Sequence, residues 1–496
     1  MGATEFSSEI GTPILQCLLG GCLVVKQVPK QSIVQFFRAG SGTVFSQVIS
    51  FVCVPILFRL YSPEAFGVWA TTMSIVLAIG TVATLRYELA IVVEREHQAA
   101  SIVFWLTMLL GIALSLLFGS LLGVLGAGFL SAAAGGLNPP ILAVCAWIIL
   151  VAVGQCMQGW LLRGGAFTAN SQIQVCNALV TNSVHLVGGW LGASSLWLVS
   201  GSMVGQAVAV AFAMALVAKS PPARPTRCWS EMRKAAIRHR RFAFFSTPFT
   251  LLTIARERAP ILLLAALASP VQVGWYSQAW RLVSIPAGLS SGALRPVMFH
   301  AAADKGLAGQ EWRVGRILLV ITLLGAPWLG VLAYDPRVVF GAVLGATWSD
   351  AGTLAAILAV PAFFFALSNW MDRFLDLQGR QDINLWTELV TAVLSIGILW
   401  IGLSYGLTLR EAVMAQAFVL VVCYVGFIVV TYRIAGFRRG GLIRTIALSI
   451  VLAVAFGLMT FLIGTQVAPL FAIVFSAVIA GIFGVLTAAK KLRGWA

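Results

Sequence analysis

Charge is what this sequence has least of. Asp, Glu, Lys and Arg make up 10% of its 496 residues, where soluble globular chains carry about a quarter. Acid is scarcer still, with 17 Asp and Glu against 33 Lys and Arg, and there are only 4 histidines. The eight cysteines (Cys17, Cys22, Cys53, Cys145, Cys156, Cys176, Cys228, Cys423) include no CxxC pair and lie mostly in apolar segments. That spacing supports neither a zinc site nor a disulfide framework, so no metal or cofactor is expected. There is no RNA- or DNA-reading motif beside the basic residues, so the net charge of +16 does not imply a nucleic-acid partner. A basic n-region is missing too: Glu5 and Glu9 precede the apolar run PILQCLLGGCLVV, which at 13 residues is too short to span about 30 Å of hydrocarbon. Residues 1–30 are expected to be an appendage rather than a signal peptide or a span.

What the sequence has is apolar length. Hydrophobic residues reach 59% and the mean hydropathy is +0.94, which is the composition of an integral membrane protein. Runs of spanning length begin near residues 38, 66, 102, 139, 171, 195, 242, 271, 314, 351, 384, 410, 444 and 468. The expected fold is all-α and polytopic, with about fourteen transmembrane helices. With the N-terminus inside, the basic connections KSPPARPTRCWSEMRKAAIRHRR, DKGLAGQEWRVGR and YRIAGFRRGGLIR and the tail KKLRGWA all face the cytoplasm, and outside loops keep only Arg59, Arg337 and Arg410. The positive-inside rule thus places both termini in the cytoplasm. For the loop over 219–241, topology is the first reading of the charge; binding of anionic lipid headgroups is the second.

The halves repeat. SPEAFGVW at 62–69 and SPVQVGWY at 269–276 share Ser-Pro-x-x-apolar-Gly-apolar-aromatic, 207 residues apart, each between the first and second helices of a six-helix half. Two pseudo-symmetric lobes related by an axis along the membrane normal follow from this. The expected organisation is an N-lobe at 31–218, the basic loop at 219–241, a C-lobe at 242–432, and two further helices with a tail at 433–496.

Polar residues fall on stripes three and four apart, so they share helix faces. The first span carries Gln35, Arg38, Gly42, Ser46 and Ser50; the fifth Gln174, Asn177, Thr181 and His185; the eighth Ser277, Arg281, Ser284, Gly288, Ser291 and Arg295; the eleventh Asn384, Glu388, Thr391 and Ser395. Charge facing lipid at mid-span costs about 2.5–3.5 kcal/mol per group, so these faces turn into the bundle or a wet cavity. The seventh span adds Arg256, Glu257 and Arg258, with Pro260 predicting a kink beside them. One reading makes Glu257 buried glue for a single arginine. That leaves guanidinium groups over, and with Arg281 and Arg38 they suit a phosphate-bearing solute, whose oxygens match the planar fork. Asp372, Asp376 and Glu388, with Arg373 beside them, read as structural pairing or as ion coupling. His185 reads as a packing residue or a proton relay.

LFRLYSPEAFGVWATTMSIVLAIGTVATLRYELAIVV (57–93) closely resembles the signature of bacterial polysaccharide flippases of the O-antigen and exopolysaccharide type, within the superfamily that also holds multidrug exporters and the peptidoglycan-precursor flippase. GWYSQAWRLVSIPAGL (274–289) and VFGAVLGATWSDAG (339–352) resemble matching segments of the second half. The resemblance implies a V-shaped pair of lobes around a cationic cavity in the bacterial inner membrane. It implies alternating-access movement of an undecaprenyl-pyrophosphate-linked oligosaccharide between leaflets, and not enzymatic catalysis. Arg256, Arg258 and Arg281 are then the expected pyrophosphate contacts, with Arg38 and Arg295 guiding entry. Glu257, Asp372 and Glu388 are the candidates for H+ or Na+ coupling. Membrane lipids are expected partners, and a polysaccharide polymerase and chain-length regulator are candidate protein partners. A multidrug exporter and a membrane glycosyltransferase or polymerase are the alternatives; the first would want an acidic cavity, the second a large outside loop.

Overall fold

A computed structural model describes residues 30–125, 141–223, 228–288, 310–334 and 336–463, with single positions 290, 294 and 298. The described residues are helical. In the first half run α1 (Lys30–Leu60), α2 (Pro63–Val82), α3 (Tyr87–Val93), α4 (His97–Leu125), α5 (Ile141–Arg163), α6 (Phe167–Leu191) and α7 (Ser195–Val217). A short α8 (Cys228–Arg238) leads through a π-helical turn, Phe242–Ser246, into α9 (Thr247–Leu267) and α10 (Pro270–Val283). Then follow α11 (Glu311–Tyr334), α12 (Pro336–Leu344), a 3-10 turn at Ala346–Trp348, α13 (Ser349–Ser368), α14 (Asp372–Leu377), α15 (Gln381–Ser404), α16 (Leu409–Ala435) and α17 (Arg439–Ile463). Among the described residues, nine helical spans are long and apolar enough to cross a membrane. Each expected span from the first to the thirteenth coincides with a helix. The fourteenth, residues 1–29 of the expected appendage at 1–30, and Arg295 lie outside the described residues; Lys30 begins α1.

Local chemistry sets the helix starts. Ser62 caps α2 by accepting the Ala65 amide at 3.2 Å, and Pro63 occupies the first turn, where its missing N–H costs nothing. Ser269 repeats the device at α10 with a reciprocal box to Gln272 and Pro270 in the first turn, and Thr408 and Glu411 box the start of α16. The Ser-Pro pair of the repeated motif is therefore a helix-start signal used twice.

The helix of the second span stops at Val82, and Leu85 (φ 49°) and Arg86 (φ 60°) turn in the left-handed region before the short α3 begins. In the seventh span Pro260 lies inside α9, and the π turn Phe242–Ser246 precedes that helix. Packing then assembles two halves. In the first, α1 lies on α6, α6 on α7 and α5 on α4, α2 and α7; in the second, α13 and α15 lie on α16, α9 on α15 and α10 on α13. Gly330 of α11 lets α17 pack with its backbone at Ala453 and Gly457, attaching the thirteenth span to the outside of the second half.

Candidate functional site

The halves meet where their repeated motifs meet. A Cβ on Gly67 of α2 would overlap the carbonyl of Pro270, and a Cβ on Gly274 of α10 would overlap the carbonyl of Pro63. Only residues without a side chain permit this crossing. Around it one apolar cluster joins both halves, with Phe58, Tyr61 and Phe66 on one side and Leu264, Val273, Tyr276 and Trp348 on the other. The Trp348 indole donates to the Phe58 carbonyl at 2.8 Å and sets its edge against the Phe58 ring at 4.3 Å. Arg59 donates to the Ala342 carbonyl at 3.3 Å. Both Ser-Pro turns lie at this end, a span's length from α8, so the halves are sealed together on the face opposite the basic connection.

Inside the seal lies the charged turn of α9. Arg256 is buried at 8% exposure. Its Nε donates to Glu388 of α15 at 2.6 Å, its Nη1 to the Tyr424 hydroxyl of α16 at 3.2 Å, and its guanidinium lies 5.1 Å from the Phe365 ring centroid. Glu257 approaches it at 3.7 Å, with its own side chain 44% exposed. The eleventh-span stripe thus looks at α9, and Glu388, expected as a coupling carboxylate, is the partner of Arg256. Arg256, Glu388 and Tyr424 together tie three helices of the second half.

Arg258 and Arg281 are placed differently. Neither has a carboxylate within 4 Å among the described residues. They stand on the adjacent helices α9 and α10. Arg281 is exposed although Ser277, Gln278 and Ala279 in the turn before it are buried. Its guanidinium lies 5.5 Å from the ring centroid of Trp69, which belongs to α2 in the other half, and its Nη1 reaches the Gln278 amide oxygen at 3.5 Å. Trp69 is anchored by donating its indole N–H to Ser202 at 2.9 Å. An arginine of one half, resting on an aromatic face of the other, therefore lies in the cleft just inside the seal. Trp69 was not among the expected site residues; its place as the aromatic end of the first repeated motif is the signal that marks it.

The remaining expected residues scatter. Arg38 lies in α1, with its side chain outside the described residues. Asp376 pairs with Arg373 at 2.9 Å and accepts from Asn384 at 3.1 Å, while Asp372 starts α14 and is partly exposed. His185 is buried, with Nε2 at 2.9 Å from the Leu198 carbonyl and 3.3 Å from Ser202; it is a packing residue behind Trp69. The fifth-span stripe faces α7, where Asn177 donates to Gln206 at 3.1 Å beside a cavity of about 30 Å³ lined also by Gln158 and Gln174, room for a water molecule. A further ion pair belongs to no stripe: Arg86 to Glu88 at 2.8 Å, with Thr84 donating to the same carboxylate at 2.7 Å. It sits at the break between α2 and α3, where helical spacing does not reveal it. No cluster of three or more potential metal ligands occurs among the described residues.

The sequence profile of a family described as Polysaccharide biosynthesis protein matches residues 56–353, the stretch that holds both repeated motifs, the charged turn and Trp348. The chain belongs to that family. This polysaccharide biosynthesis protein is similar to the succinoglycan biosynthesis transport protein ExoT of Rhizobium meliloti (strain 1021), at 25% identity over 397 residues, covering 78% of this chain and 77% of the relative. In fold it is similar to the lipid II flippase MurJ in an inward closed conformation, with a TM-score of 0.67 over 92% of this chain and 99% of that one at 12% identity. It is also similar to an inward-facing multidrug resistance MATE family transporter of the MOP superfamily, with a TM-score of 0.57 over 81% and 95% at 15% identity. The chain shares its fold with these two solved transporters.

Proposed function

We propose that this protein is a bacterial inner-membrane transporter that moves an undecaprenyl-pyrophosphate-linked oligosaccharide from the cytoplasmic to the periplasmic leaflet for polysaccharide assembly. The observation that carries the reading is Arg281, set on the Trp69 ring of the other half, with Arg258 on the neighbouring α9; neither has a carboxylate within 4 Å among the described residues. Unbalanced guanidinium groups at the depth of a membrane are kept where they line a cavity that admits water or an anion, and a diphosphate offers oxygens in the geometry their forks accept. In this scheme Arg256 does not touch the diphosphate. Its charge is already met by Glu388, and it holds the turn that aims Arg258. Arg38 and Arg295 are the proposed entry contacts. The polyprenyl chain stays in lipid, since taking it into a wet cleft would forfeit about 0.8 kcal/mol for each CH₂.

Transport then consists of separating the seal at Gly67 and Gly274 while the opposite ends of the halves close. A proton or Na+ at Glu257, Asp372 or Glu388 biases that equilibrium only to the extent that its affinity differs between the two states. Family membership and the relative named as a transport protein support transport over catalysis. A multidrug exporter for cations fits poorly with unpaired arginines in the cleft.

The test is transfer of lipid-linked glycan in proteoliposomes. Arg281→Ala and Arg258→Ala should each abolish transfer with folding intact, and Arg281→Lys should restore little, because a point charge replaces a fork. Full transfer by Arg281→Ala, or glycan chain lengthening in place of transfer, would overturn the proposal.

A further inference from the structure

The connection between the halves is not a bare basic loop. Over Cys228–Arg238 it forms α8, and that helix has two distinct faces. Met232 and Ala235 are buried at 4% and 9%, in one cluster with Tyr87, Ile91 and Phe104 of the first half. The Tyr87 hydroxyl donates to the Ala236 carbonyl at 3.1 Å. His239, just past the helix, meets the Glu94 carboxylate at 3.0 Å, with Arg238 at 3.8 Å. One face is therefore fixed to the ends of α3 and α4.

The opposite face is open and carries a mixed pattern. Trp229, Arg233 and Ile237 follow at four-residue spacing and share a side. Lys234, Arg238, Arg240 and Arg241 flank them, all exposed, and Phe244 and Phe245 continue the apolar part into the π turn at 72% and 74% exposure. A signal for topology requires only the charges. It gives no reason for a tryptophan, an isoleucine and two phenylalanines to stand beside them in the open. Both ends of the segment continue into spans, α7 ending at Val217 and α9 beginning at Thr247, so the helix is held at the level where hydrocarbon gives way to headgroups. Apolar side chains interleaved with Lys and Arg at that level complement acyl chain and anionic headgroup together.

We infer that the outward face of α8 and the following turn, from Trp229 to Phe245, is a docking surface for anionic phospholipid, with Trp229, Ile237, Phe244 and Phe245 entering the headgroup boundary and Arg233, Lys234, Arg240 and Arg241 binding the phosphates. Because the inner face of α8 is fastened to α3 and α4, the lipid holds the first half at its membrane surface while the π turn leaves α9 separately hinged. The surface is independent of what the cleft carries.

The test uses the full chain in nanodiscs of phosphatidylcholine containing a minority of brominated phosphatidylglycerol or, in parallel, brominated phosphatidylcholine. Quenching due to Trp229 is obtained by subtracting the Trp229→Phe protein. That quenching should be roughly twofold or more greater with the brominated anionic lipid, and should drop to the phosphatidylcholine level in about 1 M salt, where the screening length is about 3 Å. The Arg233→Gln/Lys234→Gln/Arg240→Gln/Arg241→Gln protein alters only exposed side chains and should show no preference, with unchanged helicity. Equal quenching by the two lipids in the unsubstituted protein would overturn the inference, as would absence of quenching by either, which would mean that protein covers this face.

Discussion

Gly67 and Gly274 each lie against the carbonyl of the proline that begins the other's helix. The contact is reciprocal: α2 presents its glycine to Pro270, and α10 presents its glycine to Pro63, so the two copies of one motif bind each other about a pseudo-twofold axis. In both, Ser and Pro start the helix and the glycine four residues after the proline lets the partner's backbone approach.

A single methyl should therefore unseat the seal. Gly67→Ala or Gly274→Ala places a Cβ where a backbone carbonyl already stands, and such overpacking costs about 1–3 kcal/mol. The cost is relieved if the halves part. In a cysteine-depleted background, spin labels at Arg59 and Val343, on opposite halves at the sealed end, should report longer and broader distances in either variant. The double variant should add little, because both substitutions release the same contact. Unchanged distances would show that the crossing does not hold the halves together.

The Arg256–Glu388 pair calls for a mutant cycle rather than a single substitution. Arg256→Met leaves the Glu388 carboxylate and the Tyr424 hydroxyl without their 2.6 Å and 3.2 Å partners, and removal of one member of a buried pair costs about 3 kcal/mol. Arg256→Met with Glu388→Met should cost less than either single change, since no uncompensated charge remains. Thermal unfolding of the four purified proteins measures this. A double variant less stable than both singles would contradict a structural role for the pair.

Much of this was legible because hydrophobic length and helical spacing report on local order. The spans, the repeat and the inward turn of the eleventh-span stripe all follow from one-dimensional pattern. Which arginine is paired does not. Arg256 and Arg258 stand one residue either side of Glu257, yet the carboxylate that answers Arg256 comes from Glu388, 132 residues away, and only the packing of α9 on α15 decides that. The break at Leu85 and Arg86 was hidden for a different reason. Neither residue is glycine; left-handed backbone at ordinary residues costs of order 1–3 kcal/mol, and the local Arg86–Glu88 ion pair forms across this turn only once the chain has made it. Trp69 does not stand out as a site residue in the sequence because its partner, Arg281, is contributed by the other half.

Trp69 offers a graded test of the cleft. Trp69→Leu removes the π face beneath Arg281, and Trp69→Phe keeps a face but loses the 2.9 Å bond to Ser202. A cation–π contact contributes about 0.5–2 kcal/mol. If the ring holds Arg281 ready for the anion, initial rates of glycan transfer should fall by roughly two- to thirty-fold in Trp69→Leu and by less in Trp69→Phe. Equal rates in all three proteins would remove Trp69 from the site.

Trp348 separates sealing from folding. It is fully buried, touches Phe58 and Phe66 of the other half at 4.3 Å and 5.4 Å, and donates across the seal to the Phe58 carbonyl. Trp348→Phe loses that hydrogen bond, about 1 kcal/mol net, and should leave the labels at Arg59 and Val343 mostly at their close distance. Trp348→Ala loses the filling of the cluster as well, about 3–5 kcal/mol if the space does not collapse. Because the lost contacts lie between halves rather than within one, the cheapest response is separation. The label distance should lengthen, while hydrogen exchange at the far end of α16, where Ile428 and Tyr432 belong to a different apolar cluster from Trp348, stays slow. Fast exchange in α16 at an unchanged label distance would instead make Trp348 a stabiliser of the second half alone.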